Sequence, residues 1–268
     1  MSVIAESTLV APSTHLFLSP HYDDVALSCG GTAALLARHG RRPRAVVVFG
    51  GEPASAAGMT DFARFQHERW GFVDETAVAS RRAEDQASAA MLGLSVDVLP
   101  FLDAIYRGER YLDDDQIFGE PSSDECGIRS ELVAALDLDD AARGATRVYA
   151  PLAAGGHVDH RHAFLAGVDL AHAGWTVWFY EDLPYALDAE IVEARRASAG
   201  VDLRLVGIVD VSSTWRQKVQ AVMTYASQVP VIFRHVAPGG DETAVEAALA
   251  AGARSRGRYV LAERFWTL

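Results

Sequence analysis

Short apolar runs alternate with longer stretches of helical period along this chain. Leu16-Phe17-Leu18 marks a buried strand over His15–Leu18, and Val25 to His39 carries a helical pattern. Ala45–Phe49 reads as a second strand, stopped by Gly50-Gly51, with loop-like residues from Glu52 to Gly58. Asp61 is the expected cap of a helix reaching Trp70, and Ser80 that of a helix with Ala87, Ala90, Met91 and Leu94 on its apolar face. Val96–Leu99, Arg147–Pro151, Trp175–Tyr180, Leu205–Val209 and Arg258–Trp266 supply further strands. Helices are expected from Ile128 to Leu136, to about Ala173, from Ser213 to Ala226 and from Asp241 to Ala251. Leu102 to Cys126 has no clean period, and a loop that long in a compact domain usually binds something or moves. It is expected to form a substrate-binding wall, with Tyr106 and Arg107 as contacts.

Strands recurring between helices predict an α/β fold, a Rossmann-like three-layer sandwich with a mostly parallel sheet and helices on both faces. No repeat, low-complexity tract or long linker interrupts the pattern, so residues 1–268 read as one domain. Gly30 and Gly31 are expected to let the first helix lie close on the sheet. A net charge of −12 argues against nucleic acid or an anionic membrane as partner, and no run of about 18 apolar residues marks a membrane span. The start, to Pro12, is mildly apolar and lacks a basic flank, so no signal peptide is expected. With only Cys29 and Cys126 there is no disulfide framework, and a cytoplasmic location follows as the expectation.

Chemistry concentrates at two strand ends. Ser19-Pro20-His21-Tyr22-Asp23-Asp24 lies where the first strand turns into the first helix, and ligands of open α/β sheets bind beyond the carboxyl ends of strands. We read His21 and Asp24 as metal ligands and Asp23 as the group acting on the attacking water. Over a hundred residues later, Gly155-Gly156-His157-Val158-Asp159-His160-Arg161-His162 occupies the same kind of junction. Two histidines and a carboxylate suit catalytic zinc, which lowers the pKa of water to about 7 and polarises carbonyls. His157 can protonate a leaving nitrogen or stabilise an oxyanion, and Asp159 can fix its tautomer. His15, His39, His67, His172 and His235 are read as core or surface residues, Cys29 as packing, and Asp113-Asp114-Asp115 as a solvated loop without calcium-site spacing. Neither a dinucleotide glycine fingerprint nor a P-loop follows the first strand.

The pattern Ser-Pro-His-x-Asp-Asp-x-x-Leu-Ser-Cys-Gly-Gly, with Gly-His-x-Asp-His downstream, resembles the PIG-L (LmbE-like) family of zinc-dependent N-acetylglucosaminyl deacetylases. Arg81-x-x-Glu84 with Leu92-Gly93, and Glu181-Asp182-Leu183-Pro184-Tyr185, extend the similarity over roughly residues 15 to 185. The resemblance implies His21, Asp24 and His160 as ligands of Zn2+, a role iron or cobalt can share. It implies Asp23 as general base, His157 as electrophilic or general-acid histidine supported by Asp159, and Arg81 as a substrate contact. Tyr22 and Val25 stand where many members carry Pro and Glu, and Tyr22 is expected to shape the pocket mouth. Gly155 stands where some members place a catalytic tyrosine, leaving Tyr106, Tyr185, or the metal with His157, to serve instead. Glu181 and its loop are expected at the substrate. The implied activity is removal of the acetyl group from an N-acetylated amino sugar or glycoconjugate. An amidase on a sugar-linked thiol conjugate or secondary metabolite is the alternative, and a non-catalytic sugar-binding module is a third reading.

Overall fold

A computed structural model describes residues 2–54, 59–72, 76–257 and 259–268. Of the loop read from Glu52 to Gly58, residues 55–58 lie outside the described residues, as does Arg258 of the expected last strand. In the first half the elements are α1 (Glu6–Val10), β1 (Thr14–Ser19), α2 (Asp24–Arg38), β2 (Arg44–Val47), α3 (Asp61–Arg69), α4 (Ala77–Leu92), β3 (Ser95–Val98), α5 (Asp114–Ile117) and α6 (Ile128–Ala135). In the second half they are β4 (Thr146–Pro151), α7 (Val158–His172), β5 (Thr176–Tyr180), α8 (Ala189–Ala197), β6 (Arg204–Asp210), α9 (Trp215–Val222), α10 (Val229–Ile232), α11 (Glu242–Gly257) and β7 (Ala262–Thr267).

The strands form one sheet of order β3-β2-β1-β4-β5-β7-β6. The first five pair in parallel, and β7 runs antiparallel between β5 and β6. The central strands have continuous apolar runs because both of their faces are covered. Leu16, Phe17 and Leu18 of β1 and Val148, Tyr149 and Ala150 of β4 are buried. Right-handed crossovers leaving β1 and β4 in opposite directions put their helices on opposite faces. On one face α2, α4 and α9 pack together, and on the other α6 packs with α7 against β4 and β5.

Two expected caps differ. Thr60, whose side chain accepts the Ala63 N–H, caps α3 in place of Asp61. Helix α4 begins at Ala77, so Ser80 lies inside it. The buried face of α4 runs Ala77, Val78, Arg81, Asp85, Ser88, Ala89 and Leu92, and polar groups at apolar-period positions conceal the helix start from a hydrophobic pattern. The close approach anticipated for Gly30-Gly31 is made by Gly31, where a Cβ would lie 2.7 Å from Val211 Cβ. There α2 kinks at Cys29, and the freed amides of Gly31 and Thr32 donate to Glu263 of β7 at 2.9 and 2.7 Å. Lys218 donates to the same carboxylate at 2.7 Å, so the last third of the chain props α2.

Candidate active site

β1 and β4 are neighbours, with Leu16 opposite Val148 and Phe17 opposite Tyr149, so the two histidine motifs emerge side by side. The sheet changes winding direction between these strands, the topological switch point where α/β sheets bind ligands. At the first junction the Ser19 hydroxyl donates to His21 O at 2.6 Å, and the His21 amide donates to Asp24 Oδ2 at 2.7 Å. That carboxylate caps the turn from inside the helix, which fixes its position relative to the His21 ring. At the second junction, Gly155 and Gly156 adopt φ of +85° and +82°, and His157 is the N-cap of α7.

Two carboxylates aim two imidazoles at a third. His21 Nε2 donates to Asp159 Oδ2 at 2.9 Å, leaving Nδ1 3.6 Å from Asp24 Oδ2. His160 Nδ1 donates to Asp182 Oδ1 at 2.6 Å, leaving Nε2 3.3 Å from Asp24 Oδ1. Asp182 is itself fixed by the Ala154 amide at 2.9 Å. A histidine held by a carboxylate on one ring nitrogen, with the other nitrogen open, is the arrangement metal-binding histidines show. Ligand atoms of buried His21, Asp24 and His160 lie within 4.8 Å of one another, and two imidazoles with one carboxylate are a donor set that fits zinc. His21, His157 and Asp159 meet the same distance, but the Asp159 carboxylate is already taken by His21, the Ala104 amide at 3.0 Å and Arg107 at 2.6 Å.

The surroundings are acidic and buried. Burial disfavours a charged His21, yet Asp103, Asp159 and Asp24 together outweigh it and raise its pKa to about 9. Burial also opposes charge on His160, and Asp24 and Asp182 again prevail and raise it. Burial, helped by Asp24, pushes the Asp23 carboxyl up, with Arg81 and His21 opposing. Asp159 goes the other way: Arg107 and the His21 hydrogen bond overcome burial and hold it well below the usual carboxylate range. Burial and the neighbouring His21 lower His157, whose Nδ1 accepts the Asp159 amide at 3.2 Å.

A cavity of about 730 Å3 opens over this floor. His21, Asp23, Asp24, Asp103 and His157 line its base, and α3, the 102–126 segment, residues 183–191 and residues 228–236 supply its walls. Ile105, Ile117 and Phe118 place part of the 102–126 segment in the wall, as its lack of period led us to expect.

Five residues expected to touch substrate do not line this cavity among the described residues. Tyr22 turns away from the mouth, its hydroxyl donating to Gly50 O at 2.7 Å. Arg81 lies behind the floor, 3.7 Å from both Asp23 Oδ1 and Asp103 Oδ2, with its guanidinium over the Trp70 ring. The Tyr106 hydroxyl is 2.6 Å from His67 Nε2. Arg107 is consumed by Asp159 and by Glu125, whose Oε1 is 3.0 Å from Nε. Glu181 ties β5 to α11 and β7 through Arg256, Arg264 and Trp266. In each case a buried charge or hydroxyl is drawn to a complementary group inside the protein. Asp159 meets His157 through its backbone amide, while its carboxylate serves His21. The structure adds Asp103 and Asp182, each just beyond a strand end, a placement that was the available signal. Tyr185 lines the cavity with its ring on Gly155, where a Cβ would meet Tyr185 Cγ at 2.4 Å.

The model of the PIG-L family, described as GlcNAc-PI de-N-acetylase, matches residues 16–171, more than half of the chain. The chain belongs to the PIG-L family. Similar proteins include a 2'-N-acetylparomamine deacetylase of Streptomyces fradiae, 33% identical over 94% of this PIG-L chain and 88% of that one. A 2'-N-acetylparomamine deacetylase of Niallia circulans is 36% identical over 63% of this chain, the match spanning 66% of the relative's length. Among solved structures, a deacetylase–teicoplanin complex from the biosynthesis pathway of teicoplanin superposes with a TM-score of 0.75 at 26% identity, covering 94% of this chain and 97% of that one. The Streptomyces fradiae match leaves too little of the chain uncovered to omit either histidine motif or the 228–236 wall, so that likeness covers the cavity as well as the sheet.

Proposed function

We propose that this PIG-L protein, acting as one domain, is a metal-dependent hydrolase that removes the acetyl group from an N-acetylated amino sugar or glycoconjugate of the N-acetylglucosaminyl type. The observation that carries this reading is that buried His160 joins His21 and Asp24, which line the floor of one cavity together with Asp23 and His157. The deacetylase names of the relatives support it. No helix among the described residues is long and apolar enough to cross a membrane, and both thiols are unpaired, in keeping with action in the cytoplasm.

His21, Asp24 and His160 would hold zinc, with Asp159 and Asp182 keeping the two imidazoles aimed. When bound, zinc polarises the amide carbonyl and makes a water acidic enough to attack near neutral pH. Asp23 lies on the floor outside that trio and takes the proton of the attacking water. Water oxygen joins the carbonyl carbon, the C–N bond breaks, and Asp23 returns the proton to the departing nitrogen, giving acetate and a free amine. His157 accepts the Asp159 amide at Nδ1, which puts its ring proton on Nε2 and makes it a donor to the developing oxyanion. Arg81 and Asp103 shape the field around Asp23.

The test is acetate release from N-acetyl sugars and glycoconjugates, with and without chelator, beside metal content. Asp23→Asn is expected to retain metal and lose about 10²–10⁴-fold in kcat, whereas His160→Ala loses the metal itself. Near-normal turnover by the Asp23 variant would overturn its role. Preferential release of acyl groups larger than acetyl would favour the amidase reading.

A further inference from the structure

We propose that the outer chamber of the cavity selects a substrate whose N-acetylamino sugar carries an apolar aglycone. The proposal rests on the deacetylase reading above and deepens it. The chamber is divided by chemistry. The ionisable groups His21, Asp23, Asp24 and His157 sit on the floor, and the walls further out include Leu187, Ile191, Val231, Ile232, Val236 and Phe118. Phe118 and Val236 are left exposed, 37% and 50%, so apolar surface continues to the rim.

Of the charged groups among these walls, Asp114 and Arg69 pair with each other. Asp114 accepts from Gln66 at 3.1 Å and pairs with Arg69 at 3.4 Å. The Asp188 carboxylate caps α8 by accepting the Glu190 amide at 2.8 Å, and Arg234 donates to Val231 O at 3.1 Å. Beyond the floor, Asp188 is the one lining carboxylate without an ion pair among the described residues, against the six apolar side chains named above. Size points the same way. Some 730 Å3 lies in the range of cavities that enclose ligands of several rings, well beyond one sugar.

The test uses homologous glycosides of 2-acetamido-2-deoxyglucose with methyl, butyl and octyl aglycones below micellar concentration, beside 2'-N-acetylparomamine. Each methylene buried in the chamber is worth roughly a factor of four in binding. We expect kcat/KM for acetate release to rise at least about tenfold from methyl to octyl, carried by KM. Ile191→Asn and Val231→Asn, in two different segments of the wall, are each expected to cut the octyl-to-methyl ratio to within about threefold; their circular dichroism and melting report folding separately. A parent ratio near one, or preference for 2'-N-acetylparomamine over the octyl glycoside, would overturn the proposal while leaving the deacetylase reading intact. No acetate from any of the four substrates by metal-loaded protein would overturn both.

Discussion

Arg107 was expected at the substrate, and the structure makes it a clamp inside the protein instead. Its side chain is 8% exposed, donates to Asp159 Oδ1 at 2.6 Å, lies 3.0 Å from Glu125 Oε1, and is flanked by the rings of Phe49 and Tyr111 at 5.1 and 5.2 Å. Arg107→Ala leaves Asp159 and Glu125 buried without their cation. Removing one partner of a buried ion pair costs about 3–5 kcal/mol, mostly because the remaining charge stays desolvated. At roughly 2–4 °C per kcal/mol for a chain near this size, the variant should melt about 6–20 °C lower. The assay is urea and thermal unfolding of metal-free protein, so that metal binding adds nothing to the difference. Arg44→Ala is the control, since Arg44 and Asp97 form an exposed pair whose loss should cost no more than about 1 kcal/mol. An Arg107 variant melting within a degree or two of the parent would refute the clamp, and with it the account of why Asp159 stays ionised against His21.

Other outcomes follow from the same contacts. Asp182→Asn leaves the His160 ring less firmly aimed and less basic, so zinc affinity by calorimetry should fall about 10–100-fold, and an unchanged affinity would remove Asp182 from the site. His15 is buried between Tyr149 OH and Pro12 O, and burial, with Arg147 and Arg41, lowers its pKa from 6.5 to about 4. A depressed histidine pKa means stability present above pH 6.5 and lost as pH falls through 4, about 3 kcal/mol in all. His15→Gln should abolish that part of the pH dependence of urea stability, and an unaltered profile would contradict it. Gly155→Ala forces a Cβ onto the Tyr185 ring at φ +85°, and should cost about 1–3 kcal/mol in denaturant melts; a neutral outcome would mean the ring moves freely.

The sheet was legible wherever strands are buried on both faces. Leu16-Phe17-Leu18 and Val148-Tyr149-Ala150 cannot be anything but interior, and their position before His21 and His157 put both motifs at strand ends. Helix α8 escaped notice because Val192 is its one buried residue among the described residues, too little for a period to register. The direction of β7 was equally hidden, since an apolar run carries no information about which neighbour it pairs with. The substrate contacts were misplaced for a common reason. Tyr106, Arg107 and Glu181 are functional-looking side chains in irregular segments, and sequence does not say whether such a group faces a cavity or a buried counter-charge.

By itself the sequence determined the alternation of strands and helices and the chemistry of the two motifs. Both depend on local spacing, which apolar periodicity and turn residues express directly. Only the tertiary structure decided that β1 and β4 lie adjacent, that Asp159 and Asp182 aim His21 and His160 at Asp24, and that residues 228–236 wall the cavity. Those contacts bring together groups from about 20 to more than 200 residues apart. They are selected by the burial of charge beside its complement, a condition that no stretch of chain meets alone.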